Sequence, residues 1–324
     1  MTSGPPAAGA GGLLDLRVRT VRYESELVRS YELVHPRGGE LPAFGAGAHI
    51  DLHLPSGHVR SYSLCNDQDE RDRYLIGVGR DDAGRGGSAW VHDHLHAGDL
   101  VRVTAPSNNF ELIESAPVSV LIAGGIGITP LLAMARRLHR LGREWRLVYA
   151  VRSRRLAAFT AEAVALDPDR VFLHVDDEAG GVLDIGRLAA GAPPGAHLYA
   201  CGPPPMMAAF AVAAAGLPED RRHAEYFTST VEPASTGGFE VALARSGVTI
   251  RVGPGQTILE AVEKEGIDVP FSCTEGVCGT CETRVLAGVP EHRDLVLSEK
   301  EKARNQSMMI CCSGSRTPRL ELDL

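Results

Sequence analysis

The spacing of hydrophobic and polar positions changes character twice along the chain. Between residues 13 and 112, short runs such as "LDLRVRTVRYES", "YELVHP", "AHIDLHLP", "HVRSYSLCN", "YLIGVGR" and "DLVRVTAP" are separated by turn residues. A 3.6-residue period is scarce there, and this spacing predicts an antiparallel barrel or sandwich. From 113 to 228 the pattern becomes strand–helix alternation. "VSVLIAGG" is a continuous apolar run, as a strand buried on both faces requires. "TPLLAMARRLHRLG" follows, with Leu131, Leu132, Ala135, Leu138 and Leu141 on one helical stripe. Thr129 is placed to cap that helix and Pro130 to take its first position. Strands "WRLVYAV", "VFLHV" and "AHLYACG" and a helix over "MMAAFAVAAAGL" complete a pattern that predicts a parallel sheet. "STVEPASTGG" at 229–238 reads as a linker. In 239–324, "FEVAL" and "VTIRV" flank "ARSG" as a hairpin, and "TILEAVEKEG" is a short helix opened by a Thr257–Glu260 capping box. The expected organisation is a tail at 1–12, a β-barrel at 13–112, an α/β domain at 113–228, the linker, and a third domain at 239–324.

Composition adds limits. A length of 324 residues fits two or three domains at about 100–200 residues each. Charged residues make up 23% and the formal net charge is −8, which argues against nucleic acid as a partner. Residues 116–135 carry no charge over a length that would span a bilayer, but the internal Gly-Gly-x-Gly-x-Thr-Pro breaks any continuous helix. No membrane association is expected. The opening "MTSGPPAAGAGG" lacks the basic and apolar regions of a secretion signal, so a cytoplasmic location is expected and disulfides are not.

Of the seven cysteines, Cys273, Cys278 and Cys281 stand at C-x4-C-x2-C on a glycine-rich loop. Soft thiolates at this spacing are the plant-type iron–sulfur pattern, which needs a distant fourth cysteine. "MMICCSG" supplies it, and spacing alone does not choose between Cys311 and Cys312. Neighbouring side chains of an extended segment point opposite ways, so only one can face the cluster; Cys311 is taken as the ligand. Gly276 and Gly279 let the loop adopt conformations closed to other residues and expose N–H donors to sulfur. Zinc sites use two paired Cys knuckles, and the second pair is missing here.

These residues resemble a plant-type ferredoxin domain, and the closing "CCSGSRTPRLELDL" is similar to the end of that domain in phthalate dioxygenase reductase-like proteins, which include vanillate O-demethylase reductases. The resemblance covers nearly all of the chain beyond the tail. It implies a multidomain fold: an antiparallel β-barrel for flavin, an α/β parallel-sheet domain for nicotinamide, and an α+β (β-grasp) ferredoxin domain.

"RSYSL" resembles the flavin signature of the wider reductase superfamily. Arg60 offers a guanidinium fork to a phosphate, Tyr62 an aromatic face with a polar tip, and Ser61 and Ser63 hydroxyls. Arg85, Gly86, Gly87 and Ser88 form a loop just before a helix, where N–H groups and the helix dipole favour a phosphate. The resemblance adds Val78, Gly79 and Arg80 as flavin-lining positions. It also favours FMN, through "GRGGS" and "PSNNFEL", over the FAD of related reductases. Gly124, Gly125 and Gly127, followed by Thr129 and Pro130, make a strand–helix turn suited to a pyrophosphate, although it is not the G-x-G-x-x-G fingerprint. Cys201, Gly202 and Pro203 lie at another strand end, where ligands collect in open α/β sheets; by resemblance they sit near the nicotinamide. Arg152, Arg154 and Arg155 would suit the 2′-phosphate of NADPH, whereas the family mostly uses NADH. NADH is expected and NADPH stays open. Phe227, Ser229 and Thr129 are implied near the flavin by resemblance alone.

The expected function is the reductase component of an oxygenase system. Electrons pass from NADH through FMN and a [2Fe–2S] cluster to a terminal oxygenase, expected to be Rieske-type and to act on an aromatic ring or an O-methyl group. Two alternatives are an FAD-containing reductase for a haem or di-iron monooxygenase and a redox-sensing protein without turnover. No residue is expected to act as a separate catalytic acid or base, because hydride transfer to a flavin depends on positioning.

Overall fold

The computed structural model describes residues 12–324 and divides after Glu225 into two compact units. The first unit begins with six antiparallel strands: β1 (Leu14–Ser25), β2 (Val28–Val34), β3 (His49–His53), β4 (Val59–Ser63), β5 (Arg73–Gly79) and β6 (Leu100–Val103). They lie in the order β4-β3-β6-β1-β2-β5. An antiparallel bridge between Leu64 and Ile76 joins the two outer strands and closes the sheet into a barrel. The inward positions alternate as the pleat requires: Leu14, Leu16 and Val18 are buried while Asp15, Arg17 and Arg19 are exposed. Helix α1 (Gly87–His94) lies against β5, where His92 Nε2 and Val78 O are 2.9 Å apart.

The same unit continues with β7 (Ser119–Gly124), α2 (Ile128–Arg140), β8 (Trp145–Val151), α3 (Thr160–Leu166), β9 (Val171–Val175), α4 (Asp176–Ala179), α5 (Ile185–Ala190), β10 (His197–Cys201), α6 (Pro204–Ala213) and β11 (Arg222–Glu225). All strand pairs are parallel, in the order β11-β10-β7-β8-β9. Central β7 is buried along its whole length, which explains its unbroken apolar run. The uncharged stretch 116–135 is therefore a strand, a turn and the start of a helix. Among the described residues no helix is long and apolar enough to cross a membrane.

Three local expectations are corrected. Thr129 does not cap α2: a 3-10 turn over Gly125–Gly127 runs straight into the helix, and Gly127 occupies the N-cap position. Thr129 is instead buried in the first turn, its hydroxyl donating to Ile126 O at 3.0 Å, with Pro130 one residue further in. Leu141 falls just past the helix end and is exposed. Helix α6 starts two residues earlier than expected, because Pro204 and Pro205 fit a first turn that needs no N–H donors.

The second unit, Tyr226–Leu324, contains β12 (Phe239–Leu243), β13 (Val248–Val252), α7 (Ile258–Lys264), β14 (Glu282–Ala287), β15 (Pro290–Glu291), α8 (Glu299–Arg304), β16 (Ser307–Met309), β17 (Gly314–Ser315) and β18 (Arg319–Leu322). The main sheet is mixed, in the order β13-β12-β18-β14-β16, with β12 and β18 parallel. The expected hairpin and capping box both form, Thr257 Oγ1 accepting from Glu260 N at 3.2 Å. Ile258, Leu259, Ala261 and Val262 bury the inner face of α7 in the core of this unit.

Candidate functional site

The loop between α7 and β14 brings thiols together. Cys273, Cys278 and Cys281 are buried on it, and Cys311 is buried just beyond β16. Gly276 and Gly279 have φ of +71° and +81°, which lets the loop wrap inward. The N–H groups of Glu275 and Val277 point at Cys273 Sγ, at 3.3 and 3.4 Å. The Cys278 side chain, and after it that of Cys311, lowers the Cys273 thiol, and Cys273 in turn raises the thiols of Cys278 and Cys311, so these sulfurs share their protons as one group. The Cys281 thiol is likewise lowered, first by Cys311. Cys311 thus faces both Cys273 and Cys281 and also meets Cys312. The Cys312 sulfur is turned toward Met309 O, at 3.8 Å, and lies under Gly276, where an added Cβ would stand 2.4 Å from it. Among the described residues no set of three or more His, Cys, Asp or Glu is disposed as a cage around a single metal ion.

In the first unit, β4 presents Arg60 to the start of α1. Arg60 Nη2 donates to Arg85 O at 3.2 Å, and a Cβ on Gly87 would stand 2.5 Å from Arg60 Nε. Only glycine allows the guanidinium to lie against this helix end. Gly86, with φ +80°, turns the chain into it. Tyr62 OH is buried with no hydrogen-bond partner, and burial pushes the phenol well above its ordinary range. Ser61 donates to Asp51 Oδ1 across the β3–β4 pair, at 2.5 Å. Val78 is buried inside the barrel, and Gly79 lies against Ile126 of the glycine turn. Arg80 is held at the surface by Asp93 and Asp82, and Ser88 Oγ accepts from Asp81 N. These two do not point into the cradle formed by Arg60, Gly86 and Gly87.

The ends of β7 and β10 lie side by side, Ala123 opposite Cys201. Their turns touch so closely that side chains are excluded. A Cβ on Gly127 would lie 2.1 Å from Cys201 O, and one on Gly124 would lie 2.7 Å from Pro203 Cδ. Gly202 Cα is similarly confined by Gly124 and Met206. Gly125 takes φ +53° to make the bend.

Sequence reasoning missed Glu225, at the end of β11 opposite Cys201. Its carboxyl group is enclosed although the residue retains some exposure, and burial raises it to about 8. Ser63 Oγ donates to its Oε2 at 3.5 Å, and Cys201 Sγ lies 4.0 Å from the same oxygen. The Ser63 hydroxyl of β4 and the Cys201 thiol at the end of β10 therefore meet on a single buried acid. The short polar strand "RHAE" carries no apolar rhythm, so no pattern marked it.

Of the arginine turn after β8, Arg154 is held by Glu178 at 2.5 and 2.8 Å and Arg155 by Glu26 at 3.2 Å. Asp177 N donates to Arg152 O at 3.1 Å, which brings the acidic start of α4 beside this turn. Phe227 and Ser229 belong to the second unit, Phe227 exposed and Ser229 Oγ accepting from Val231 N at 3.0 Å.

Comparison with known proteins agrees with both units. Residues 121–211 match the oxidoreductase NAD-binding domain, and residues 241–315 match the 2Fe-2S iron-sulfur cluster binding domain. The chain is 53% identical over 318 residues to phenoxybenzoate dioxygenase subunit beta of Ectopseudomonas oleovorans, covering 98% of this chain and 99% of that one. It is 43% identical to vanillate O-demethylase oxidoreductase of Pseudomonas putida, over 96% of this chain and all of the relative. Among solved structures, phthalate dioxygenase reductase, described as modular for electron transfer from pyridine nucleotides to [2Fe–2S], aligns with TM-score 0.72 and 37% identity over 97% and 98% of the two chains. An intact type IV self-sufficient cytochrome P450 monooxygenase aligns with TM-score 0.89 and 37% identity, over 96% of this chain and 41% of that one.

Fold and site thus define an iron–sulfur oxidoreductase with a nicotinamide-binding domain. The chain belongs to the phthalate dioxygenase reductase-like family, the reductase components of oxygenase systems.

Proposed function

We propose that this chain holds FMN in its first unit and a [2Fe–2S] cluster in its second, takes electrons from NADH, and serves a Rieske-type oxygenase acting on an aromatic substrate. When bound, the flavin accepts hydride as an electron pair and the cluster carries electrons singly, which matches a nicotinamide donor to a one-electron acceptor. The observation that carries the reading is the convergence of Cys273, Cys278, Cys281 and Cys311, with amide N–H groups aimed at sulfur. Four converging thiols with N–H donors aimed at sulfur suit thiolate ligation of iron.

The chain's own residues divide the remaining work. Arg60 and the N–H groups of Gly86 and Gly87 bind the flavin phosphate at the start of α1, an eight-residue helix. The unpartnered Tyr62 hydroxyl donates to the flavin. The Gly124–Gly127 turn admits the nicotinamide pyrophosphate, and Cys201, Gly202 and Pro203 bound its path. Glu225, kept neutral by burial, would hold a proton beside Ser63 and Cys201 and so keep those two side chains in place between the flavin-signature strand and the nicotinamide loop. The carboxylates of Asp176, Asp177 and Glu178 next to the arginine turn favour a ribose hydroxyl over a phosphate, and so NADH over NADPH. The absence of disulfides among the described residues fits a reducing, cytoplasmic setting.

A haem monooxygenase is the second reading of the partner, favoured by the close alignment with the self-sufficient P450. Purified protein should release FMN on denaturation, hold iron and acid-labile sulfide in equal amount, and reduce cytochrome c with NADH. Reduction of a Rieske oxygenase but not of a haem monooxygenase supports the first reading, and the reverse supports the second. Release of FAD, or no turnover with NADH, would overturn the proposed chemistry.

A further inference from the structure

The segment from β15 to Leu297 carries two buried polar side chains whose hydrogen bonding is incomplete. The His292 side chain is 9% exposed, and neither of its ring nitrogens has a hydrogen-bond partner. The Asp294 side chain is fully enclosed. Its Oδ2 accepts from the N–H groups of Val296 and Leu297, at 3.2 and 2.8 Å. Its Oδ1 is unpartnered and lies 3.6 Å from His292 Nδ1, just beyond a normal hydrogen bond. A structural histidine places a ring nitrogen on a carbonyl, as His92 does on Val78 O at 2.9 Å. Buried polar groups left unmet in a native fold require a reason.

Their position supplies one. Leu295 N donates to Gly276 O at 2.9 Å, and a Cβ on Gly276 would stand 3.1 Å from Asp294 Cα. Arg293 N donates to Ser313 Oγ at 3.2 Å, and β15 pairs with β17. The segment is thus stitched both to the loop of Cys273, Cys278 and Cys281 and to the chain just after Cys311. Other ionisable groups around it are Glu291, whose carboxylate is held by Arg293, the Cys312 thiol under Gly276, and Glu275 on the ligand loop.

We propose that His292, backed by Asp294, is a proton acceptor coupled to reduction of the cluster. This rests on the reading that the four thiols hold a [2Fe–2S] centre. Reduction adds one electron, and hence one negative charge, to a poorly solvated region. One proton from solvent then binds a ring nitrogen of His292, and the imidazolium so formed pairs with the Asp294 carboxylate. Electron and proton enter together and leave together on reoxidation, so the net charge of this wall of the protein does not change. Low effective dielectric makes such compensation far stronger than it would be in water.

The test is the cluster's midpoint potential in the holoprotein, followed by EPR-monitored titration between about pH 5.5 and pH 9, where imidazole exchanges its proton. The native potential should fall as pH rises, approaching about 59 mV per unit over part of that range, the one-electron equivalent of a tenfold ratio. His292→Gln should give a flat line while retaining cluster absorption. Asp294→Asn keeps an oxygen for Val296 and Leu297 and should move the sloping region to lower pH, because the imidazolium loses its counter-charge. A pH-independent native potential, or an unchanged slope in His292→Gln, overturns the proposal. If His292→Gln loses the cluster, an unshifted slope in Asp294→Asn overturns it instead. Native protein with no cluster signal after chemical reduction overturns the functional reading, and this inference with it.

Discussion

Burial holds the Glu225 carboxyl protonated up to about pH 8, against an ordinary value of 4.5. Between those values the folded chain keeps a proton that the unfolded chain has lost. The contribution to stability therefore falls as pH rises through the window, by at most about 1.4 kcal/mol per pH unit. Glu225→Gln should remove that slope: the difference in Tm between variant and native protein should grow from pH 5 to pH 8. A constant difference would show that Glu225 carries no such proton. At the thiols, Cys311→Ser should abolish the visible absorption of the cluster, whereas Cys312→Ser should retain it and lose only stability. Iron content and optical spectra decide, and the opposite result would exchange the two roles. Cys273, Cys278 and Cys281 stood out as candidate ligands because their spacing is local, whereas spacing alone did not separate Cys311 from Cys312. Glu225 did not stand out, because only the pairing of β10 with β11 and the approach of Ser63 turn an ordinary acid into a buried one.

Elements show a similar division. The glycine turn between β7 and α2 was readable as a turn, but its tightness depends on a neighbour about 75 residues away in sequence that no local pattern reports. Gly127→Ala should place a Cβ against the Cys201 carbonyl, which is backbone and cannot swing aside. A cost on the order of 1–3 kcal/mol in stability is expected, together with a higher KM for NADH. Calorimetry and steady-state kinetics check both, and an unchanged KM would separate this turn from nucleotide binding. Thr129 was misassigned for a related reason: the 3-10 turn of three residues starts the helix early, leaving the threonine inside it. Strand β11 escaped notice because it is a short edge strand, Arg-His-Ala-Glu, that needs no apolar face. By contrast, β7, the β12–β13 hairpin and the capped helix α7 each carry complete local signals, and each formed as the residues suggested.

For the molecule as a whole, the barrel and the parallel sheet were legible because each has its own hydrophobic period, and the ferredoxin-like sheet because of the cysteine spacing and the resemblance it carries. Nucleotide preference was less so: three arginines in one turn suggested a phosphate, until ion pairs with Glu178 and Glu26 occupied two of them. NADH should therefore exceed NADPH in kcat/KM by about tenfold or more, the factor set by roughly 1.4 kcal/mol. Glu178→Gln should narrow the gap, and a preference for NADPH in the native enzyme would contradict this account of the turn. The central claim is that one polypeptide converts a paired-electron donor into a single-electron supply. It is tested most directly by anaerobic titration of the purified protein with NADH, followed by absorption and EPR spectroscopy together. The account predicts bleaching of the flavin accompanied by the EPR signal of a reduced [2Fe–2S] centre; flavin bleaching with a cluster that stays oxidised, or no bleaching at all, would contradict it.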